Sequence, residues 1–336
     1  MDATESNKKA LEQLQLQHQY NIGIAVIDGI FIIPLTIIWV ISLVRAPRNR
    51  DPARVGVGWL KAVFPIKILS LIMYLIGDAL FLSIPIPGAY GPYDMSHFAA
   101  SLYRLQALQY IAILGLLFRN IADVLLLVTF AELASGVSIC LHGGLEKKGA
   151  APFSKVRVGR YAAYAIVFVL FLLAIVYFGI KTEFSARYYK WHDEILEMAD
   201  ENGIVNNPPP MPIPARSTDH LYSAINILLW VSLLPIIGYG SYVVHKARKP
   251  GFSHLRNSAV LLLTATLLDF AHLFTNVIIV AYYYVPRKSP PSPIYLTVIL
   301  PILNTVPTFI ALVLLFVMVT RKGDNGLWAT RAAVLP

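Results

Sequence analysis

The chain has 336 residues, of which 57% are hydrophobic and only 14% charged. A soluble domain carries about 25% charged residues. With so few charges, and a mean hydropathy of +0.61, the sequence reads as an integral membrane protein rather than a soluble enzyme. One cysteine, Cys140, excludes a disulfide-stapled secreted domain. The net charge of +9 falls in loops between apolar segments. The basic residues therefore point to a lipid bilayer as partner and not to nucleic acid.

Residues 1–21 are polar, with Lys8 and Lys9 ahead of a Gln-rich stretch. No short apolar region leads into a small-residue cleavage site, so the first apolar segment is expected to stay as an uncleaved anchor. Seven segments then approach or exceed the roughly 20 residues that cross a hydrocarbon core. They are Ile22–Val44, Ala62–Ile86, Leu108–Ile139, Tyr161–Ile180, Leu221–Val244, Val260–Val285 and Ile294–Thr320. None alternates as a barrel strand would. The predicted fold is all-α, a polytopic seven-helix transmembrane bundle over 22–320, with a tail over 321–336. Pro34, Pro65, Pro235, Pro301 and Pro307 fall inside spans and are expected to kink them. No internal repeat is visible, which counts against an inverted-repeat transporter.

Arg and Lys crowd the odd-numbered connections. Arg45, Arg48, Arg50, Arg54 and Lys61 lie in the first, Lys147, Lys148, Lys155, Arg157 and Arg160 in the third, and Lys246, Arg248, Lys249 and Arg256 in the fifth. Arg321, Lys322 and Arg331 add to the tail. The positive-inside rule then places the N-terminus outside or in the lumen and the C-terminus in the cytosol. The expected address is the endoplasmic reticulum first, with the plasma membrane as the alternative. The connection 181–220 is the one large lumenal piece. Phe184, Tyr188, Trp191, Ile195 and Met198 repeat at helical spacing and predict an amphipathic helix lying on the bilayer, or a lid. A Pro-rich stretch, Asn207–Pro214, follows it.

Ionisable residues at bilayer depth are costly, and each marks a functional hypothesis. Asp28 lies in span one, Lys67 and Asp78 in span two, Arg119, Asp123 and Glu132 in span three, and Asp269 and His272 in span six. Asn276 and Asn304 add amides. Depth counting brings Asp28, Asp78, Arg119, Asp123, Asp269, His272, Asn276 and Asn304 into one polar layer, at mid to lumenal depth. Lys67 is expected to snorkel to the cytosolic side, and Glu132 to sit at that edge in water. Thr266, Asp269, His272 and Asn276 are three, three and four residues apart, so they share one face, which should point inward. Arg119 and Asp123, four apart, can form a structural ion pair.

A carboxyl stripped of water is costly to ionise and can act as a general acid. Aromatic faces such as Trp230 and Phe274 can stabilise a cation in a dry cavity. Together they suit protonation of an isoprenoid and cyclisation of the resulting cation. Asp269 is the first candidate acid, oriented by His272 and Asn276, with Asp78, Asp123 and Asp28 as alternates. Asn276, Asn304, Trp230 and Phe274 are candidate substrate contacts. The bland alternatives are an internally masked pair for Arg119 and Asp123, and an interfacial belt for Tyr282–Tyr284.

Span seven holds no lysine for a retinal Schiff base. Glu132–Cys140 lacks the Asp/Glu-Arg-Tyr triplet of rhodopsin-like receptors, and Asn304-Thr-Val-Pro-Thr308 lacks their Asn-Pro-x-x-Tyr pattern. Asn120-Ile-Ala-Asp123 is a fragment of a prenyltransferase metal motif. No metal and no cofactor is therefore expected. In architecture, across spans one to seven and in Asp28, Asp78, Asp123 and Asp269, the chain resembles the membrane-bound terpene cyclases of fungal meroterpenoid pathways. That resemblance implies a metal-free cyclase or isomerase that protonates an epoxide or olefin of a lipophilic prenylated substrate. A seven-helix G-protein-coupled-type receptor and a proton-coupled carrier are the alternatives.

Overall fold

A computed structural model describes residues 3–45, 55–83, 95–141, 152–198, 210–212, 216–248, 253–284 and 300–320. Among these residues the regular structure is entirely helical. The helices are α1 (Ala3–Arg45), α2 (Val55–Leu82), α3 (Met95–Leu141), α4 (Pro152–Met198), α5 (Arg216–Lys246), α6 (Ser253–Ile279) and α7 (Leu300–Thr320). Each contains a stretch long and apolar enough to cross a membrane. A π-helical turn, Val280–Tyr284, closes α6 and leaves Tyr282 exposed.

Helices follow one another around a ring, closed by contact between α1 and α7, and α3 also packs against α5 and α6. α3 and α6 are the inner helices, with 44% of their apolar windows buried, whereas α1 buries 11%. Leu35, Phe64, Phe130, Leu133, Leu229 and Leu315 form the heart of the apolar core. Lipid tails offer no hydrophobic gain for such packing, so close approach and polar ties decide it. Gly56 shows this. A Cβ there would lie 2.7 Å from Leu133 Cγ and 3.0 Å from its backbone nitrogen. Gly56→Ala should therefore cost about 1–3 kcal/mol, while Gly179→Ala, with nothing within 4 Å, should be neutral or stabilising by up to about 1 kcal/mol. Unfolding in mixed micelles checks both.

The helices begin earlier than several predicted spans, α2 at Val55 and α3 at Met95, and four further features differ from expectation. α1 begins at Ala3, so the polar N-terminal segment is helical and continuous with span one. Leu, Gln, Lys and Glu fill it and all favour helix. The amphipathic stretch after Ile180 is not a separate helix, because α4 runs unbroken to Met198. Its crossing-competent part is 38 residues, about 57 Å at 1.5 Å per residue, against a core of about 30 Å. It continues along α3, where Tyr189 donates to Gln109 Oε1 at 2.8 Å and the Tyr110 and Tyr189 rings lie 6.3 Å apart. Pro301 is the second residue of α7, a position that needs no amide donor, whereas Pro34, Pro65, Pro235 and Pro307 stand inside helices.

Glu132 is the fourth difference. It is 2% exposed and not at a watery edge. Arg160 of α4 donates from Nε to Oε1 at 2.8 Å, and its Nη2 lies 2.7 Å from Oε2. A forked arginine repays the burial of the acid. Arg48, Arg50, Arg54, Lys147, Lys148, Lys249, residues 207–209, residues 285–299 and everything after Thr320 lie outside the described residues.

Candidate functional site

A cavity of about 220 Å³ opens between α1, α2, α3 and α7. Ile24 and Asp28 of α1, Lys67, Ser70, Tyr74 and Asp78 of α2, Arg119 of α3, and Asn304 and Thr305 of α7 line it. On α1, Ile24 and Asp28 are four apart and share a face. On α2, Lys67, Leu71, Tyr74 and Asp78 are spaced four, three and four, again one face. Ser70 Oγ donates to the Gly115 carbonyl at 3.0 Å and fastens α2 to α3 beside it.

Lys67 does not snorkel. It is 6% exposed and lies 3.8 Å from Asp123 Oδ1. Asp123, Asp269 and Asp28 act on it inside the bundle, and their pull outweighs the distant water. Arg119 Nε lies 4.0 Å from Asp123 Oδ2, so the expected pair within α3 is present but long. The stronger bonds of Arg119 cross the bundle. Its Nη2 donates to Asn276 Oδ1 at 3.1 Å and lies 3.0 Å from His272 Nε2.

These contacts fix the histidine. Arginine can only donate, so His272 Nε2 must accept. Asn276 Nδ2 donates to the same nitrogen at 2.9 Å. The ring proton therefore sits on Nδ1 and is donated to Thr308 Oγ1 at 2.6 Å. Thr308 in turn donates to the Asn304 carbonyl at 3.0 Å. One hydrogen-bond chain thus joins α3, α6 and α7. Pro307 stands just before Thr308 and cannot supply an amide to that turn.

Asp269 lies on the same buried face of α6 as Thr266, His272 and Asn276, all under 8% exposed. Its Oδ1 is 3.8 Å from His272 Nδ1 and has no hydrogen-bond partner among the described residues. Thr308 Oγ1 already accepts the hydrogen bond from Nδ1 that Asp269 would take. Thr308→Val keeps the shape and removes the acceptor, so it should cost about 1–3 kcal/mol. Unfolding that matches wild type would contradict the assigned tautomer.

The structure gathers Asp28, Asp78, Arg119 and Asn304 at the cavity wall, with Asp123, Asp269, His272 and Asn276 packed behind. Asp78 is near enough to Asp28 to feel its charge. Trp230 and Phe274 are elsewhere. They stack with ring centroids 5.4 Å apart, together with Phe270, and Phe274 is 44% exposed on the outer side of α5 and α6. Sequence reasoning did not select Lys67, Ser70 or Thr308 as site residues. The spacing of Lys67 from Tyr74 and Asp78 was the signal available for the lysine. Among the described residues no three His, Cys, Asp or Glu side chains gather as a metal site would require.

Comparison of the chain with family models, curated proteins and solved structures gives no match.

Proposed function

We propose that the chain is a membrane-embedded enzyme that starts an isomerisation by protonating a lipophilic, prenylated substrate at this cavity. The observation that carries the reading is the wall itself. Two carboxyls, Asp28 and Asp78, face an internal space between apolar helices, and Asp78 Oδ2 has no hydrogen-bond partner among the described residues. Four carboxyls in this layer outnumber two fixed cations, Lys67 and Arg119. An excess of acids in an apolar setting supplies protons more readily than charges.

In this reading Asp78 gives a proton to an olefin or epoxide, the carbon skeleton closes on the resulting cation, and a proton leaves the product. Mass is unchanged. Asp28 is the partner acid, and Asp123 is held by Lys67 and Arg119. His272 and Asn276 act from behind the wall by fixing Arg119. The cavity lies toward the lumenal side if the N-terminus is lumenal, as the loop charges support, and the endoplasmic reticulum is the proposed address. The test is conversion of linear prenylated phenols and their terminal epoxides by membranes carrying the chain, with EDTA present. A same-mass product of shifted retention supports the reading.

The second reading is a receptor. The chain of bonds from Arg119 through His272 to Thr308 and Asn304 ties three helices to one cavity wall, the arrangement a ligand would need to shift a bundle. Absence of conversion by well-expressed protein moves the weight there.

A further inference from the structure

Two of the four helices around the cavity, α1 and α7, carry a proline at the same level. Their rings mark that level, since Phe31 and Phe309 meet with centroids 4.8 Å apart. Pro34 is three residues from Phe31, and Pro307 is two residues from Phe309. Both prolines therefore stand within one helical turn of the contact. Each removes a backbone donor, so the Ile30 and Leu303 carbonyls lack their helical partners and both helices are weakened there.

The prolines also divide the helices by role. Every residue that α1 and α7 give to the cavity, Ile24, Asp28, Asn304 and Thr305, precedes the proline of its helix. The N-terminal half of each helix is thus a piece of cavity wall joined to the bundle through a soft point.

Packing makes α1 the more mobile of the two. Its apolar window is 11% buried, against 39% for α2 and for α7. Between Asn21 and Pro34 the one buried residue is Asp28. A Cβ added at Gly23 or Gly29 would meet nothing within 4 Å. Val26, Ile30 and Ile33 of α1, and Ile302 and Leu303 of α7, are exposed on the outside of the same stretch. Lipid tails replace apolar contacts between helices at little cost. Asp28, which feels Lys67 and Arg119, is then the main tie that draws this half of α1 inward.

We infer that the N-terminal halves of α1 and α7 form a lateral gate, hinged at Pro34 and Pro307, through which a molecule dissolved in the bilayer enters the cavity. Phe31 and Phe309 close its base. The gate gives a lipophilic substrate of the proposed reaction its route, but the claim concerns access and is read without turnover, so failure of either leaves the other standing.

The test is thiol labelling of the full chain in lipid nanodiscs, in a Cys140→Ser background that removes the one native cysteine. Thr305→Cys reports the cavity wall, and Ile310→Cys, at a position 40% exposed on the outside of α7, reports lipid. Pyrene maleimide, which dissolves in the bilayer, and the charged thiosulfonate MTSET, which stays in water, are each scaled to their rate with free cysteine. Pyrene maleimide should label Thr305→Cys faster than MTSET does. Adding Pro34→Ala and Pro307→Ala restores a backbone hydrogen bond to each hinge, and should slow pyrene maleimide about tenfold at Thr305→Cys and leave Ile310→Cys unchanged. Labelling of Thr305→Cys by MTSET at least as fast as by pyrene maleimide overturns the inference, because entry is then from water. A rate that the two alanines leave unchanged, or slow equally at both positions, overturns it as well. The comparison of the two reagents decides alone if the alanine variant does not fold.

Discussion

Arg119→Met is expected to destabilise the bundle by about 3–5 kcal/mol, the cost of stripping His272 and Asn276 of their buried donor and leaving Asp123 to Lys67 alone. Several groups depend on this guanidinium, among them Tyr74. His272 Nε2 lies at 3.0 Å, Asn276 Oδ1 at 3.1 Å and Asp123 Oδ2 at 4.0 Å. Methionine fills much of the space and supplies no donor. Arg119→Lys should recover only part of the loss, because the ammonium stops short of the position from which Nη2 reaches both side chains. Adding Asp123→Asn to Arg119→Met should also recover part, since it removes a buried carboxylate then held by Lys67 alone but not the empty side of His272. Equilibrium unfolding in mixed micelles reads all three. A methionine variant as stable as the wild type would contradict the assigned network.

The second large effect is on turnover. Asp78→Asn should lower the rate of the proposed isomerisation by about 10²–10⁴-fold, the usual contribution of a positioned general acid. The amide keeps the size and hydrogen-bonding capacity of the carboxyl and cannot give up a proton to carbon. Stability should change little, because Asp78 Oδ2 has no hydrogen-bond partner to lose among the described residues. Asp28→Asn should have the same sign and a smaller size, since Asp28 lies nearer Lys67 and Arg119 and feels both. An unchanged rate in Asp78→Asn, with normal expression, would remove this residue from the reaction.

Much of this molecule is readable in its sequence. Hydropathy gives seven crossings because a bilayer demands about 20 apolar residues and self-satisfied backbone. The three-three-four spacing of Thr266, Asp269, His272 and Asn276 gives the buried face of α6 because helical period fixes which side chains share a side. What fails is information carried between helices. Lys67 reads as a snorkelling residue by depth alone, and only the arrival of Asp123 from α3 explains why it stays inside. Glu132 reads as an edge residue until Arg160 of α4 reaches it. Asp269 ranks first among the acids by its surroundings on α6, yet α7 sends Thr308 to the histidine and leaves Asp269 behind the wall. Trp230 and Phe274 read as cavity aromatics, since composition does not say which side of α5 and α6 they take. The length of α4 is hidden for a different reason: a helix that outruns the hydrocarbon core keeps the same period and only changes its polarity.

The ranking of the acids carries the account, and one comparison tests it. Membranes with equal amounts of wild type, Asp78→Asn and Asp269→Asn would be given the same prenylated epoxide with EDTA, and initial rates of same-mass product compared. The account predicts that Asp269→Asn keeps a substantial share of the rate, while Asp78→Asn falls by about 10²-fold or more. Loss of turnover in Asp269→Asn with full activity in Asp78→Asn would place the chemistry behind His272 and contradict the assignment of the cavity.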